Sequence, residues 1–199
     1  MQSIYIYGAS GHGLVVADIA TSCGYDNIIF VDDGDNKYLS FDEIKDNSSI
    51  PLAFGIGLNR VRKMLFDRVS KYGFNIITLI HPTATISPNS TIGIGTVVMP
   101  KVVVNTHAIV GKGVILNTAS IIEHENIIED FSHISPTVGL AGNVTVGKNT
   151  HIGIGSSVIQ GITIGKNCII GAGSVVVKDI PSSSLAHGNP CKVIRKIDE

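Results

Sequence analysis

The chain contains no tryptophan and is poor in aromatic and charged residues. Aromatic residues make up 6% of its 199 residues, so its core must be built from aliphatic and small side chains. Charged residues make up 16%, the formal net charge is −1, and no run of Lys or Arg occurs. This excludes the basic surface of a typical nucleic-acid-binding protein.

Other absences concern compartment and covalent chemistry. No apolar run reaches the roughly 18 residues that a membrane span requires, and no signal-peptide core follows Met1. The cysteines Cys23, Cys168 and Cys191 lie far apart, which excludes a disulfide framework and a paired-cysteine metal site. We therefore expect a cytoplasmic enzyme or binding protein with no membrane span and no nucleic-acid partner.

The strongest positive signal is a six-residue repeat. Every sixth residue from Ile80 to Val176 is Ile, Leu or Val, with no insertion. This period matches neither the 3.6-residue period of a helix nor the two-residue alternation of an ordinary strand. It is typical of short strands joined by sharp turns, with three hexads closing one triangular coil. A β-sandwich with chance periodicity is the alternative, but its irregular loops would break the phase.

The repeat predicts a parallel β-helix over residues 80–199, with the aliphatic positions inside. Glycines that directly follow these positions, such as Gly93 and Gly147, are predicted to supply positive φ at the corners. Residues 1–79 lack the repeat. They read as strands at 4–7, 27–31, 52–56 and 75–80 with helices at 12–23 and 58–72, which predicts a small Rossmann-like α/β domain.

The glycine-rich segment 8–13 lies between the first strand and the first helix. Such a loop lets a phosphate approach the N-terminus of the helix, where free N–H groups favour anions. Asp32 and Asp33 end the second strand, where a carboxylate can accept hydrogen bonds from a ribose or base. A dinucleotide site, a nucleotide-sugar site and a ligand-free turn all remain open. The shortness of the domain favours one nucleotide with a sugar attached, closed on its other side by Gly55–Gly57.

Residues 18 apart should stack on neighbouring coils, which places Gly142 above His124. His124 follows an inward position, so it lies at an outward corner, where Glu125 can fix its tautomer. An imidazole titrates near neutral pH and suits a general base; a solvated corner histidine is the alternative.

His133 and His151 form a second column. They are stacked surface residues, or His133 donates to a developing oxyanion. With a histidine from a neighbouring subunit they would resemble the zinc site of a γ-class carbonic anhydrase. No further His or Cys stands near them in sequence, so we expect no metal site.

The hexad pattern resembles the left-handed β-helix acyltransferase superfamily, and the left hand and homotrimeric assembly are expected from that resemblance. Segments 5–14, 116–125 and 141–144, together with Asp32-Asp33, resemble the UDP-4-amino-sugar N-acetyltransferases of the UDP-N-acetylbacillosamine type. The end of the chain, 188–195, is similar to that of hexapeptide acyltransferases, with Cys191 in place of an alanine.

This resemblance implies acetyl-CoA as co-substrate, no metal, and direct attack by the 4-amino group of a UDP-linked amino sugar on the thioester. Ala172 stands where glycine is usual in the family. An O-acetyltransferase of a sialic-acid-type sugar and a non-catalytic nucleotide-sugar-binding scaffold are the alternatives, and GDP or dTDP carriers fit the same pattern. The implied roles are general base for His124 assisted by Glu125; acetyl-CoA binding for His133, Gly142, Ile154 and Ala172; and UDP-sugar binding for Ser10, Gly11, His12, Asp32, Asp33 and Gly57.

Overall fold

The computed structural model describes residues 2–197 and contains an N-terminal α/β part followed by a β-helix. The α/β part has one parallel sheet with strand order β2-β1-β3. The predicted domains 1–79 and 80–199 include residues 1, 198 and 199, which lie outside the described residues. The elements of the α/β part are β1 (Ser3–Tyr7), α1 (Gly11–Ser22), β2 (Asn27–Val31), α2 (Phe41–Ile44), β3 (Leu52–Phe54) and α3 (Asn59–Ser70).

The strand predicted at 75–80 in this sheet is wrong. Ile76 makes only a single bridge to Leu52. Leu79 and Ile80 instead form β4 of the β-helix and pair with Val97 and Val98. The physical reason is that Ile80 already belongs to the hexad, so this segment pairs with the next coil rather than with β3.

The β-helix presents three parallel sheets, which we call the first, second and third faces. The strands of the first face are β4 (Leu79–Ile80), β7 (Val97–Val98), β10 (Ile115–Leu116), β13 (His133–Ile134), β16 (His151–Ile152) and β19 (Ile169–Ile170). The second face has β5 (Thr85–Ile86), β8 (Val103–Val104), β11 (Ile121–Ile122), β14 (Gly139–Leu140), β17 (Ser157–Val158) and β20 (Val175–Val176). The third face has β6 (Thr91–Ile92), β9 (Ile109–Val110), β12 (Ile127–Ile128), β15 (Thr145–Val146) and β18 (Thr163–Ile164).

Two further strands close the C-terminal end of the first face. β21 (Ser184–Gly188) runs parallel to β19, and β22 (Cys191–Lys196) pairs with it in antiparallel fashion.

The register confirms the predicted vertical columns. His133 pairs with Ile115 below it and with His151 above it, each 18 residues away. The second residue of each strand points inward and is buried from Val98 to Val176. Ile80 is an exception to the predicted inward row: it is 37% exposed, because it belongs to the first coil and no coil lies beneath it.

The glycines directly after the inward position do not have the predicted positive φ. Positive φ occurs three residues after the inward position, as at Glu125 (φ 60°) and Asn149 (φ 59°). The glycine directly after the inward position is needed for space: a β-carbon on Gly147 would lie 2.5 Å from the backbone nitrogen of Lys166 on the next coil. Close backbone approach therefore selects glycine directly after the inward position, and positive φ favours it three residues after that position, as at Gly95 (φ 71°).

The α/β part covers the lower half of the first face. Ile4 and Val16 pack in one core with Val97 and Ile115, whose side chains point outward from the β-helix yet are 1% and 0% exposed. Because this burial removes apolar surface from water, it fixes the α/β part against one side of the β-helix.

Candidate active site

A row of histidines marks the edge of the covered area on the first face. The outward column there reads Val97, Ile115, His133 and His151 from one coil to the next. The ring of His133 lies 4.6 Å from that of His151 and 6.3 Å from that of His12, centroid to centroid. The predicted nucleotide loop and the predicted acetyl-CoA contact are therefore neighbours in one chain.

The tautomer of His133 follows from its partners. Asn117 accepts the Thr118 N–H through Oδ1 at 2.8 Å, which turns its Nδ2 toward His133 Nε2 at 3.0 Å. An amide nitrogen only donates, so Nε2 accepts and the imidazole proton lies on Nδ1. Burial, with the charges of His151 and Arg62, lowers the pKa of His133 to about 3, so the ring is neutral. Sequence reasoning missed Asn117.

The glycine-rich segment forms a tight strand–helix turn with one open position. Gly8 has φ +113°, and a β-carbon on Gly13 would collide with the Gly8 carbonyl. A β-carbon on Gly11 would meet nothing within 4 Å. Ser10 is the N-cap residue of α1, and its side chain makes no capping hydrogen bond. The helix N-terminus is therefore accessible to a ligand at Ser10 and Gly11.

Gly57 lies beside the His12 ring. A β-carbon on Gly57 would contact the His12 ring at 3.8 Å. Burial, followed by the charge of Arg62, lowers the pKa of His12 to about 4. His12 is therefore partly desolvated and lies against Gly57 beside the N-terminus of α1.

The two aspartates after β2 have different surroundings. Asp32 accepts the Ala9 N–H at 2.9 Å and the Gly34 N–H at 2.9 Å, and these bonds lower its pKa. Asp32 therefore holds the glycine-rich loop.

Asp33 faces a network within the α/β part. It accepts hydrogen bonds from Tyr7 Oη at 2.5 Å, Arg68 Nη1 at 2.7 Å and the Phe41 N–H at 2.8 Å. Burial raises the pKa of Asp33, but these hydrogen bonds and the Arg68 charge outweigh it and lower the pKa overall. The structure thus occupies this carboxylate with internal partners.

His124 lies at an exposed corner, as predicted. Its side chain is 54% exposed, and Nδ1 lies 3.0 Å from Glu125 Oε2. The carboxylate accepts, so the neutral ring carries its proton on Nδ1 and leaves Nε2 as a free acceptor. A β-carbon on Gly142 would collide with Cε1 and Nε2 of this ring. The absence of a side chain at Gly142 is what gives the imidazole its position.

Within one chain, His124 is far from the histidines of the first face. His124 lies in the corner between the second and third faces, at 123–126, and Gly142 lies in the same corner one coil higher. In a triangular coil, this corner is opposite the first face, which carries His133. The body of the β-helix therefore separates the two groups of predicted site residues.

A groove of about 850 Å³ extends along the first face beside His151. One wall is the start of α3, and the other is the upper part of the first face and its corner. Ile154, 53% exposed, and Ala172 line it, so two of the four predicted acetyl-CoA positions lie on one surface, whereas His133 and Gly142 do not line the groove. Leu58, His151 and Ile169 also line it, together with the basic side chains of Arg60 and Lys63.

Sequence reasoning also missed Arg62, which is 1% exposed. It lies on α3 and joins the Gly57 loop to the β-helix through hydrogen bonds to backbone oxygens. A helical arginine is normally solvated, and nothing in its sequence neighbourhood indicates burial.

Within residues 2–197, no three His, Cys, Asp or Glu side chains form a group that could hold a metal ion. The Nε2 atoms of His133 and His151 are already hydrogen bonded to Asn117 and Ser135, the latter at 2.9 Å. Over the same described stretch, no helix has the length and apolarity needed to cross a membrane.

Two family models match the chain. The model described as PglD N-terminal domain matches residues 3–69. The model described as bacterial transferase hexapeptide (six repeats) matches residues 143–178.

Solved structures resemble nearly the whole chain. A mutant of perosamine N-acetyltransferase from Caulobacter crescentus, in complex with CoA and GDP-perosamine, is 32% identical with a TM-score of 0.94 and covers 98% of both chains. The acetyltransferase domain of PglB from Neisseria gonorrhoeae FA1090, in complex with acetyl coenzyme A, is 36% identical with a TM-score of 0.92; it covers 97% of this chain and 99% of that one.

Among curated proteins, the UDP-N-acetylbacillosamine N-acetyltransferase of Bacillus subtilis (strain 168) is 34% identical over 114 residues. The match covers 50% of this chain and 52% of that protein, so the chain spans about half the length of this curated relative.

The fold and these similarities define a left-handed β-helix acyltransferase of the hexapeptide-repeat class. The N-terminal α/β part shows to which family of this class the chain belongs. The chain belongs to the family of acetyl-CoA-dependent sugar N-acetyltransferases that carry a PglD N-terminal domain ahead of the hexapeptide repeats. The family resemblance predicted from the sequence motifs is thereby confirmed.

Proposed function

We propose that this protein transfers the acetyl group of acetyl-CoA to the 4-amino group of a UDP-linked amino-deoxy sugar. Residues 1–79 bind the nucleotide sugar, and residues 80–199 bind acetyl-CoA and carry the base. Both substrates are cytoplasmic metabolites, and we place the enzyme in the cytoplasm.

The observation that carries the proposal is the free acceptor nitrogen of His124. Its Nδ1 is paired with Glu125 Oε2 at 3.0 Å, so Nε2 is the basic nitrogen. The missing side chain of Gly142 gives the His124 ring the room that it occupies. This is the arrangement that a general base requires, because the carboxylate fixes the tautomer and stabilises the imidazolium that forms.

The reaction needs one proton acceptor and accurate alignment. As the sugar amine bonds to the acetyl carbon, His124 Nε2 takes the amine proton. The bond from carbon to sulfur then breaks, and the thiolate of CoA leaves and receives a proton. No covalent bond to the enzyme forms, and the residues that hold the two substrates supply the alignment.

A homotrimer completes the site in this proposal. His124 lies opposite the first face, so one copy cannot bring Nε2 to the groove that contains Ile154 and Ala172. Packing the His124 corner of one copy against the first face of the next would join them. Exposed isoleucines flank that corner, including Ile109, Ile121 and Ile127, which are 52%, 43% and 41% exposed. An apolar patch of this kind is typical of a protein interface.

The groove suits acetyl-CoA, and the N-terminus of α1 suits the nucleotide sugar. The groove has apolar walls from Leu58, Ile154 and Ile169 for a pantetheine chain, and Arg60 and Lys63 add positive charge for phosphates. The N-terminus of α1 at Ser10 and Gly11, with His12 and Gly57 beside it, binds the diphosphate of the nucleotide sugar in this proposal. Asp32 holds this loop by accepting a hydrogen bond from the Ala9 N–H.

A thiol-release assay tests the proposal. The protein is incubated with acetyl-CoA and UDP-, GDP- or dTDP-linked 4-amino sugars, and free CoA is measured. We expect the highest kcat/KM with a UDP-4-amino sugar and none with its 4-hydroxy counterpart. Preference for the 4-hydroxy sugar would instead indicate O-acetylation, and acetyl-CoA binding without thiol release would indicate a scaffold; either outcome would refute the proposal.

The role of His124 is tested separately by His124→Ala. Removing a general base lowers kcat by at least ~10²-fold, while acetyl-CoA binding, measured by calorimetry, is retained. Unchanged turnover would remove His124 from the mechanism.

A further inference from the structure

The guanidinium of Arg62 occupies the junction between the α/β part and the β-helix. Its Nε donates to the Gly113 carbonyl at 2.7 Å. Its Nη1 donates to the carbonyls of Ile56 and Gly57 at 3.0 and 3.1 Å. One planar group therefore links a loop of the α/β part to a corner of the β-helix.

The third guanidinium nitrogen of Arg62, Nη2, also donates hydrogen bonds. Nη2 donates to Asn59 Oδ1 at 2.8 Å and to the carbonyls of Phe131 and Ser132 at 3.0 and 3.3 Å. The five N–H donors of a guanidinium are thereby all used. No carboxylate oxygen of the described chain lies within 4.0 Å of Arg62. Its buried cation is held by neutral oxygens, so the shape of the fork, rather than ion pairing, decides its position.

The groups that Arg62 joins are neighbours of the predicted substrate contacts. Gly57 faces the His12 ring, and Ser132 directly precedes His133. Asn59, one turn earlier on α3, joins the α/β part to the next coil of the β-helix. Its Nδ2 donates to the carbonyls of Asn149 and Thr150 at 3.0 and 3.2 Å, directly before His151.

We propose that Arg62 is a positioning residue that sets the spacing between the nucleotide-sugar loop at His12 and Gly57 and the acetyl-CoA contact at His133. Arg62 touches neither substrate. This inference rests on the proposed function, because alignment of two substrates matters only if both bind there. A misplacement of about 1 Å between reacting groups can lower the rate by about 10²-fold.

The experiment compares Arg62→Lys with wild type. Lysine keeps the positive charge, but its single ammonium cannot reach the Gly57 and Ser132 sides at once. We expect kcat to fall by at least ~10-fold, while the Kd values for UDP alone and for CoA alone stay within about threefold of wild type. Arg62→Met, which removes the donors as well, should lower kcat further if it folds. Lys71→Met, an exposed charge change just beyond the opposite end of α3, is the control and should leave kcat unchanged.

The outcomes separate the inference from the proposed function. Wild-type kcat in Arg62→Lys would overturn the inference. So would a loss of UDP and CoA binding as large as the loss of kcat, because that result describes a general structural role. If the wild-type protein acetylates no nucleotide-linked amino sugar, the proposed function fails first and this inference with it. Thermal unfolding of each variant establishes that assays are made on folded protein.

Discussion

The substitution Gly142→Ala tests how the β-helix positions His124. The new β-carbon would lie 3.1 Å from Cδ2 of the His124 ring and would overlap Cε1 and Nε2. Carbon atoms pack at about 3.5 Å or more, so the ring must move by about 1 Å. Gly142 has no positive φ, so the backbone itself accepts alanine.

The expected effect is large on the rate and small on stability. His124 is 54% exposed and can rotate into solvent, so we expect a free-energy change of unfolding within about 1 kcal/mol. Rotation takes Nδ1 away from Glu125 and moves Nε2 from its place. A shift of about 1 Å in a catalytic group corresponds to a loss of about 10²-fold in kcat.

Gly139→Ala is the matched control. Gly139 lies three residues earlier on the same coil, and a β-carbon there would meet nothing within 4 Å. Both variants are compared with wild type by thiol release at saturating acetyl-CoA and by thermal unfolding. Wild-type kcat in Gly142→Ala would refute the reasoning, and so would equal losses of kcat in the two variants.

Two further predictions concern stability. The pKa of His133 is about 3 and that of His12 about 4, so the folded state keeps both rings neutral while the unfolded chain binds protons below about pH 6.5. The contribution of these two histidines to the free energy of unfolding should be fully present above about pH 6.5. It should fall toward pH 3 by up to ~1.4 kcal/mol per histidine and pH unit. A Tm that stays constant from pH 7 to 4, or the same slope in His133→Asn, would contradict this. Gly147→Ala places a β-carbon 2.5 Å from the Lys166 backbone nitrogen, where nothing can rotate away. We expect a loss of about 1–3 kcal/mol in urea unfolding, and a loss no larger than that of Gly139→Ala would contradict it.

The motifs predicted the parts of the site but not their arrangement. The glycine-rich segment 8–13 correctly indicated a strand–helix turn with an accessible helix N-terminus. The 18-residue register correctly placed Gly142 against His124. In contrast, adjacency in sequence suggested equal roles for Asp32 and Asp33. The structure turns Asp33 toward Tyr7 and Arg68, partners 26 and 35 residues away, which no local pattern encodes.

The sequence alone determined the coil, its register and its inward rows, because each hexad makes the same contacts with the hexads 18 residues before and after it. A contact pattern that repeats along the chain can be inferred from the sequence without a structure. Only the tertiary structure decided where the α/β part lies, since that placement depends on single contacts such as Arg62 to Gly113, 51 residues apart. It also decided that the α/β part covers the face that carries His133, because that packing occurs once in the chain and leaves no period.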